Sequence, residues 1–133
     1  MLRLDDRITA PNGSAERRSA TCGSKIEADV TIDSAGKIIA IAFRAKACAL
    51  GQASAAIVQQ EAPGQSRDNI AAVRSALAAY LKDGADAPDA WPGLEEFGVA
   101  RDFPARHAAI LLPYDAVLAA IDAASTAEKQ AAI

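Results

Sequence analysis

Residues 25–43, KIEADVTIDSAGKIIAIAF, constrain the fold more than any other part of the chain. KIEADVTI alternates apolar and polar residues, DSAG is turn chemistry, and KIIAIAF resumes a β-rich run. The pattern predicts an antiparallel hairpin in which Gly36 takes the left-handed position of a four-residue loop. Closing the loop with Asp33 opposite Gly36 sets Val30 against Ile39, Ala28 against Ile41 and Ile26 against Phe43. All six are apolar and share one face, while Lys25, Glu27, Asp29, Thr31 and Arg44 occupy the other. Continued outward, this register places Cys22 opposite Ala47 and Thr21 opposite Cys48. The chain's two cysteines then become diagonal neighbours at the open end of the hairpin, near enough to share a metal ion.

The pattern turns helical after Cys48. LGQASAAIVQQ gives a first helix with a small-residue face. SRDNIAAVRSALAAYLKDG gives a second, with Ile70, Val73, Leu77, Tyr80 and Leu81 on one stripe. Ser66 is its N-cap and Asp83-Gly84 its stop. A loop over ADAPDAWPGL leads to a short turn from Leu94 to Phe97. The last helix is expected from about Ala109 to Ala124, with Ile110, Leu111, Tyr114, Val117, Leu118 and Ile121 facing the core. Pro113 is tolerated there only in the first turn, which sets the helix start close to His107. Residues 1–20 read as a loop or an edge strand, and residues 125–133 as a frayed tail.

These elements predict an α+β fold, a small antiparallel sheet with helices on one face, in a single domain spanning residues 1–133. Alanine supplies 34 residues and aromatics only 5%, so the helices must pack closely over a small core. A formal charge of −3 with one histidine offers no basic field for nucleic acid or an anionic membrane. The N-terminal residues lack the apolar core of a secretory signal. HAAILLPYDAVLAAI is too short, and too interrupted by Pro113 and Asp115, to span a bilayer. The expectation is a cytoplasmic protein, where two cysteines point to thiol or metal chemistry.

Cys48 is expected at or just before a helix N-terminus, where unpaired N–H groups and the helix dipole favour an anion. Cys22 precedes Gly23, which lets the backbone turn tightly near a ligand. The competing reading makes both cysteines small buried hydrophobes. His107, beside the start of the last helix, is either an ordinary histidine or a third ligand. With Cys22 and Cys48 it would complete a Cys₂His set suited to tetrahedral zinc with one open position. Lys46 either supports the Cys48 thiolate or is simply exposed. A thiol enzyme with Cys48 as nucleophile and His107 as base is a further reading, although no third residue orients the histidine.

Three segments resemble the NifU/IscU-type iron–sulfur cluster assembly scaffolds, including the SufU branch, in consistent order over about residues 21–121. They are CGSKIEADVTIDSAGKIIAIAFRAKAC, CALGQASAAIV and FPARHAAILLPYDAVLAAI. The resemblance implies a domain that receives sulfur from a cysteine desulfurase and holds a nascent [2Fe–2S] cluster, iron or zinc for cluster-acceptor proteins. Homo-oligomers are possible on this reading. It assigns Cys22 and Cys48 to the first two ligand positions of a site built from three cysteines and an aspartate. Ser24 stands where that aspartate is expected, and Ala109 where the third cysteine is expected. The alternative is a degenerate scaffold that serves as a zinc-binding or protein-interaction module without cluster assembly.

Overall fold

The computed structural model describes residues 13–19 and 23–131, with side chains to Ser125. Strand β1 (Gly13–Arg18), β2 (Lys25–Ile32) and β3 (Ile38–Lys46) form an antiparallel meander in the order β1-β2-β3. Helices α1 (Ala49–Glu61), α2 (Arg67–Lys82) and α3 (Pro104–Ala131) follow, with a 3-10 helix at Leu94–Ala100 between the last two. This is the α+β arrangement the sequence predicts, and residues 13–18 supply its edge strand.

The hairpin register differs from the expected one by two residues. Val30 pairs with Ile41, Ala28 with Phe43 and Ile26 with Ala45. The physical cause is Asp33. Its carboxylate accepts from the N–H groups of both Ala35 and Lys37 at 2.9 Å, and its own N–H donates to the Lys37 carbonyl. The loop therefore closes on Lys37 instead of Gly36, although Gly36 does take the left-handed conformation, φ +82°. An irregularity at Thr31/Ile32 then restores the facing of the strands. A shift of two preserves the faces, so Ile26, Ala28, Val30, Ile41 and Phe43 are buried as expected. Ile39 is the exception at 57% exposed, and Ile38 is buried in its place. Backbone bonds from Ile38 N–H to Gln65 O and from Gly64 N–H to Ile38 O hold that residue against the α1–α2 turn.

Helix α2 follows its stripe: Ile70, Val73, Leu77, Tyr80 and Leu81 are all buried. Ser66 Oγ accepts from Asn69 N–H, and Asp83 ends the helix. Helix α3 is longer than the sequence suggests. It begins at Pro104, a residue suited to a first helical turn, so Pro113 lies in its interior. Proline there removes a backbone donor and crowds the preceding turn. Close by, the buried Ser54 of α1 donates its hydroxyl to Ile110 O at 2.5 Å, one residue past Ala109 O, the carbonyl that Pro113 leaves without its helical N–H. The backbone stays helical past Ser125 to Ala131, where a frayed tail was expected.

Helix α3 contacts β1, β2, α1, α2 and the 3-10 helix. Its residues Ile110, Leu111, Tyr114, Val117 and Ile121 are buried in the common core, and Leu118 is partly buried against it. Over 104–125 the helix reaches membrane-spanning length and hydropathy, contrary to the expectation from its apolar run. Yet 61% of the most apolar stretch is buried within the fold, as suits a core helix. Arg67–Asp122 and Arg74–Asp115 ion pairs, at 2.7 and 2.6 Å, tie α2 to the outer side of α3.

Candidate functional site

The open end of the sheet is where β1 ends, β2 begins and β3 runs into α1. The β1–β2 connection is closed by Ser19 N–H to Ser24 O at 2.8 Å and by Gly23 N–H to Ser19 O at 3.1 Å. Gly23 has φ +71°, a conformation that ends the straight run of β2 and that side chains with a Cβ rarely adopt. Regular pairing accordingly stops at Lys25↔Lys46. The expected pairs Cys22/Ala47 and Thr21/Cys48 involve Cys22 and Thr21, which lie outside the described residues. In the observed register the partner position of Cys48 falls at Gly23.

Cys48 is the N-cap of α1. Its backbone is extended, φ −66° and ψ 171°, and its carbonyl accepts from Gln52 N–H at 2.9 Å. A serine or aspartate at this position would spend its side chain on the helix N–H groups. The Cys48 side chain makes no such cap, and the thiol is free and half-buried. Gly23, Ser24, Lys46, Ala47 and Cys48 line an open concavity of about 230 Å³. Cys22 is next to Gly23 in the chain and lies outside the described residues.

The helix behind Cys48 is held by close approach to α3. A Cβ on Gly51 would lie 2.9 Å from Ala47 Cβ and 3.4 Å from Ala109 O, so only glycine leaves room here. Ala109 is fully buried at this contact. The position expected to carry a third thiol is therefore a methyl group packed beside α1, close to Ala47 in the wall of the concavity. Ser24, at the position expected for aspartate, is 3% exposed and is engaged in hydrogen bonding.

His107 has a different setting. It is 4% exposed, and Nε2 lies 2.8 Å from Ala100 O and 3.2 Å from Arg101 O. Carbonyl oxygens only accept, so Nε2 carries the proton, and the ring ties α3 to the end of the 3-10 helix. His107 does not line the Cys48 concavity. Among the described residues, no group of three or more His, Cys, Asp or Glu side chains is placed to hold a metal ion.

The sequence reading missed the charge at this end of the sheet. Its register would set Lys25 against Arg44. The observed ladder instead aligns Arg18 with Lys25 and Lys25 with Lys46 on one rung across all three strands. The signal was present in Asp33, whose carboxylate favours the longer loop.

No protein-family model and no curated protein matches the chain. Solved structures do match it. The crystal structure of a nitrogen-fixing NifU-like protein (N-terminal) from Brucella abortus is 32% identical, with a TM-score of 0.80. That match covers 90% of this chain and 83% of the other. A protein from the thermophile Fervidobacterium islandicum AW-1, described as an iron–sulfur cluster assembly scaffold for the SUF system, is 19% identical with a TM-score of 0.78. It covers 90% of this chain and 87% of the other, and at that identity the likeness speaks for the fold alone.

Proposed function

Because the chain belongs to the NifU-like family, represented by its N-terminal scaffold unit, we propose that it acts as an iron–sulfur cluster assembly scaffold-like protein using Cys22 and Cys48. The observation that carries this reading is the state of Cys48. An N-cap residue whose side chain makes no capping bond opens its thiol into a concavity walled by Gly23 and Ser24, next in sequence to the second cysteine. In this role the iron and sulfur are cargo. Sulfur arrives when the Cys48 thiolate attacks the outer sulfur of a donor protein's persulfide. The donor S–S bond breaks, the donor cysteine leaves as a thiolate, and a persulfide remains on Cys48. No oxidant is consumed. A cysteine desulfurase is the donor this chemistry calls for, cluster-acceptor proteins are the recipients, and a reducing cytoplasm keeps both thiols available.

A complete [2Fe–2S] cluster takes four ligands, and the donor set of this chain falls short. Cys22 and Cys48 supply two thiolates. Ala109 offers no donor, and His107 can join only through Nδ1 because Nε2 is spent on Ala100 and Arg101. The remaining positions are filled from outside, by a partner, a second subunit or a small thiol. The test is anaerobic reconstitution with iron, sulfide and a desulfurase. The expected product has visible absorbance that is lost in Cys22→Ala and in Cys48→Ala. A colourless product without bound iron would sink the reading.

The buried methyl group of Ala109 and the engaged Nε2 of His107 favour a second reading, a degenerate scaffold that binds zinc or only other proteins. Metal and acid-labile sulfide content after anaerobic purification separates the two. Stoichiometric zinc without sulfide supports the zinc module, and no metal with both thiols freely labelled leaves the interaction role.

A further inference from the structure

The rung Arg18–Lys25–Lys46 sets three like charges in a line across the sheet. Residues directly opposite in a ladder point to the same face, and like charges placed so are destabilising. The line spans about 10 Å at ordinary strand spacing, and Cys48 lies two residues beyond Lys46, about 7 Å further along the chain. Glu16 partly offsets one side of the row. Its carboxylate is 2.9 Å from Arg18 Nε and 3.9 Å from Lys25 Nζ. Lys46 is exposed, lines the Cys48 concavity, and has no ion pair among the described residues. The next rung inward on the same face is mixed, with Glu16, Glu27 and Arg44. The cations are thus concentrated at the thiol end of the sheet, in a chain whose formal charge is −3.

We propose that the Arg18–Lys25–Lys46 row is a docking platform for a carboxylate-rich segment of the sulfur-donating partner, holding that segment beside the Cys48 thiol. The proposal rests on the scaffold reading for the identity of the partner. The charge arrangement argues for its chemistry. A short acidic segment can cover three cations in a line, whereas a nucleic acid would meet Glu16 and Glu27 one rung away and the net negative charge beyond. Docking raises the local concentration of the donor at the thiol, so its effect is on encounter rate and depends on ionic strength.

The test uses the full chain with Cys22→Ser, which leaves Cys48 as its one thiol. Three short peptides, rich in glutamate, lysine or serine, each carry a cysteine activated as a thiopyridine disulfide. Attack by Cys48 releases the pyridinethione and is followed by its absorbance. At low salt the glutamate peptide is expected to react at least about tenfold faster than the lysine peptide, the lower end of the range for electrostatic steering. That preference should vanish at about 0.5 M salt, where screening lengths fall to a few ångströms. It should also vanish in Lys25→Gln with Lys46→Gln, read as each charged peptide's rate relative to the serine peptide's in the same variant. Equal rates for the charged peptides, or a faster lysine peptide as the net charge alone dictates, would overturn the proposal. So would a serine-peptide rate that falls in step with the glutamate rate, because the lysines would then act on the thiol itself. A single-stranded oligonucleotide that abolishes the preference at lower concentration than free glutamate peptide would reassign the row to nucleic acid and overturn it as well. Iron uptake by the wild-type chain is read separately. Charge preference without iron uptake supports the dock and removes the scaffold reading, and iron uptake without preference does the reverse.

Discussion

Ser54→Ala tests how the fold accommodates a proline inside its central helix. Ser54 is fully buried, and its hydroxyl donates to the carbonyl of Ile110, also fully buried, next to the Ala109 carbonyl that Pro113 deprives of its helical N–H. Deleting one partner of a buried hydrogen bond leaves the other desolvated, at a cost of about 1–3 kcal/mol. Alanine has the higher helix propensity and returns up to ~0.5 kcal/mol. From the middle of that range, about 2 kcal/mol, the net loss is about 1.5–2 kcal/mol. For a chain of 133 residues, average unfolding entropies give about 0.28 kcal/mol/K, so the melting temperature should fall by about 5–7 °C. Thermal unfolding followed by circular dichroism measures the shift, and a urea titration with an unchanged slope shows that the native state is otherwise intact. Ser75→Ala is the control, since Ser75 is exposed on α2 and its loss should change stability by no more than ~0.5 kcal/mol. If Ser54→Ala melts within about 2 °C of wild type, Ile110 does not depend on that hydroxyl, and the bond does not help α1 hold α3 beside its proline.

Two further predictions concern the core and the thiol site. Burial raises the phenol of Tyr114 well above its ordinary range, so the folded state keeps a proton that the unfolded state releases above about pH 10. This contribution is complete below that pH and falls away as pH rises, by about 1.4 kcal/mol per pH unit. Urea titrations at pH 10–12 should show that slope in wild type and not in Tyr114→Phe. Equal slopes would mean that the ring is not sequestered. At neutral pH the phenylalanine variant should be at least as stable, because the buried hydroxyl has no hydrogen-bond partner. Ala109→Cys puts a third thiol beside Ala47 and should raise the iron retained after anaerobic reconstitution and desalting; unchanged iron content would show that position 109 does not reach the site.

The parts of the fold legible in sequence are those where one local rule acts without competition. The α2 stripe from Ile70 to Leu81 repeats at helical spacing, and Ser66 and Asp83 mark its ends with ordinary capping chemistry. The hairpin faces were legible because alternation survives a shift of two residues. The pairing itself was not, because one carboxylate, Asp33, holds two backbone N–H groups and lengthens the loop. Strand β1 was faint because its residues GSAERR have little alternation. Its first residue, Gly13, lies against the α3 backbone, where a Cβ would sit 2.5 Å from Ala124 N. The start of α3 was misplaced by a sound rule about proline, overridden by packing that includes a donor from another helix. At the site, Cys48 was legible as a helix-start residue. The engagement of His107 with Ala100 and Arg101 was not, since nothing local in the sequence sets the 3-10 helix against α3.

The reach of α3 also has a consequence in time. The strands and the α1–α2 pair precede it in the chain, and β1, β2, α1 and α2 all pack against it. An isolated two-stranded hairpin is marginal by itself, and packing against a helix is one way a sheet gains stability. The growing polypeptide therefore carries β1 and β2 without their α3 cover until that helix has been made, and the order of synthesis runs opposite to the order of dependence. Until that late closing step, α1, which Cys48 caps, lacks the α3 surface it meets at Gly51 and Ala109. A partner that recognises the settled thiol site would thereby also recognise a chain in which α3 is already in place.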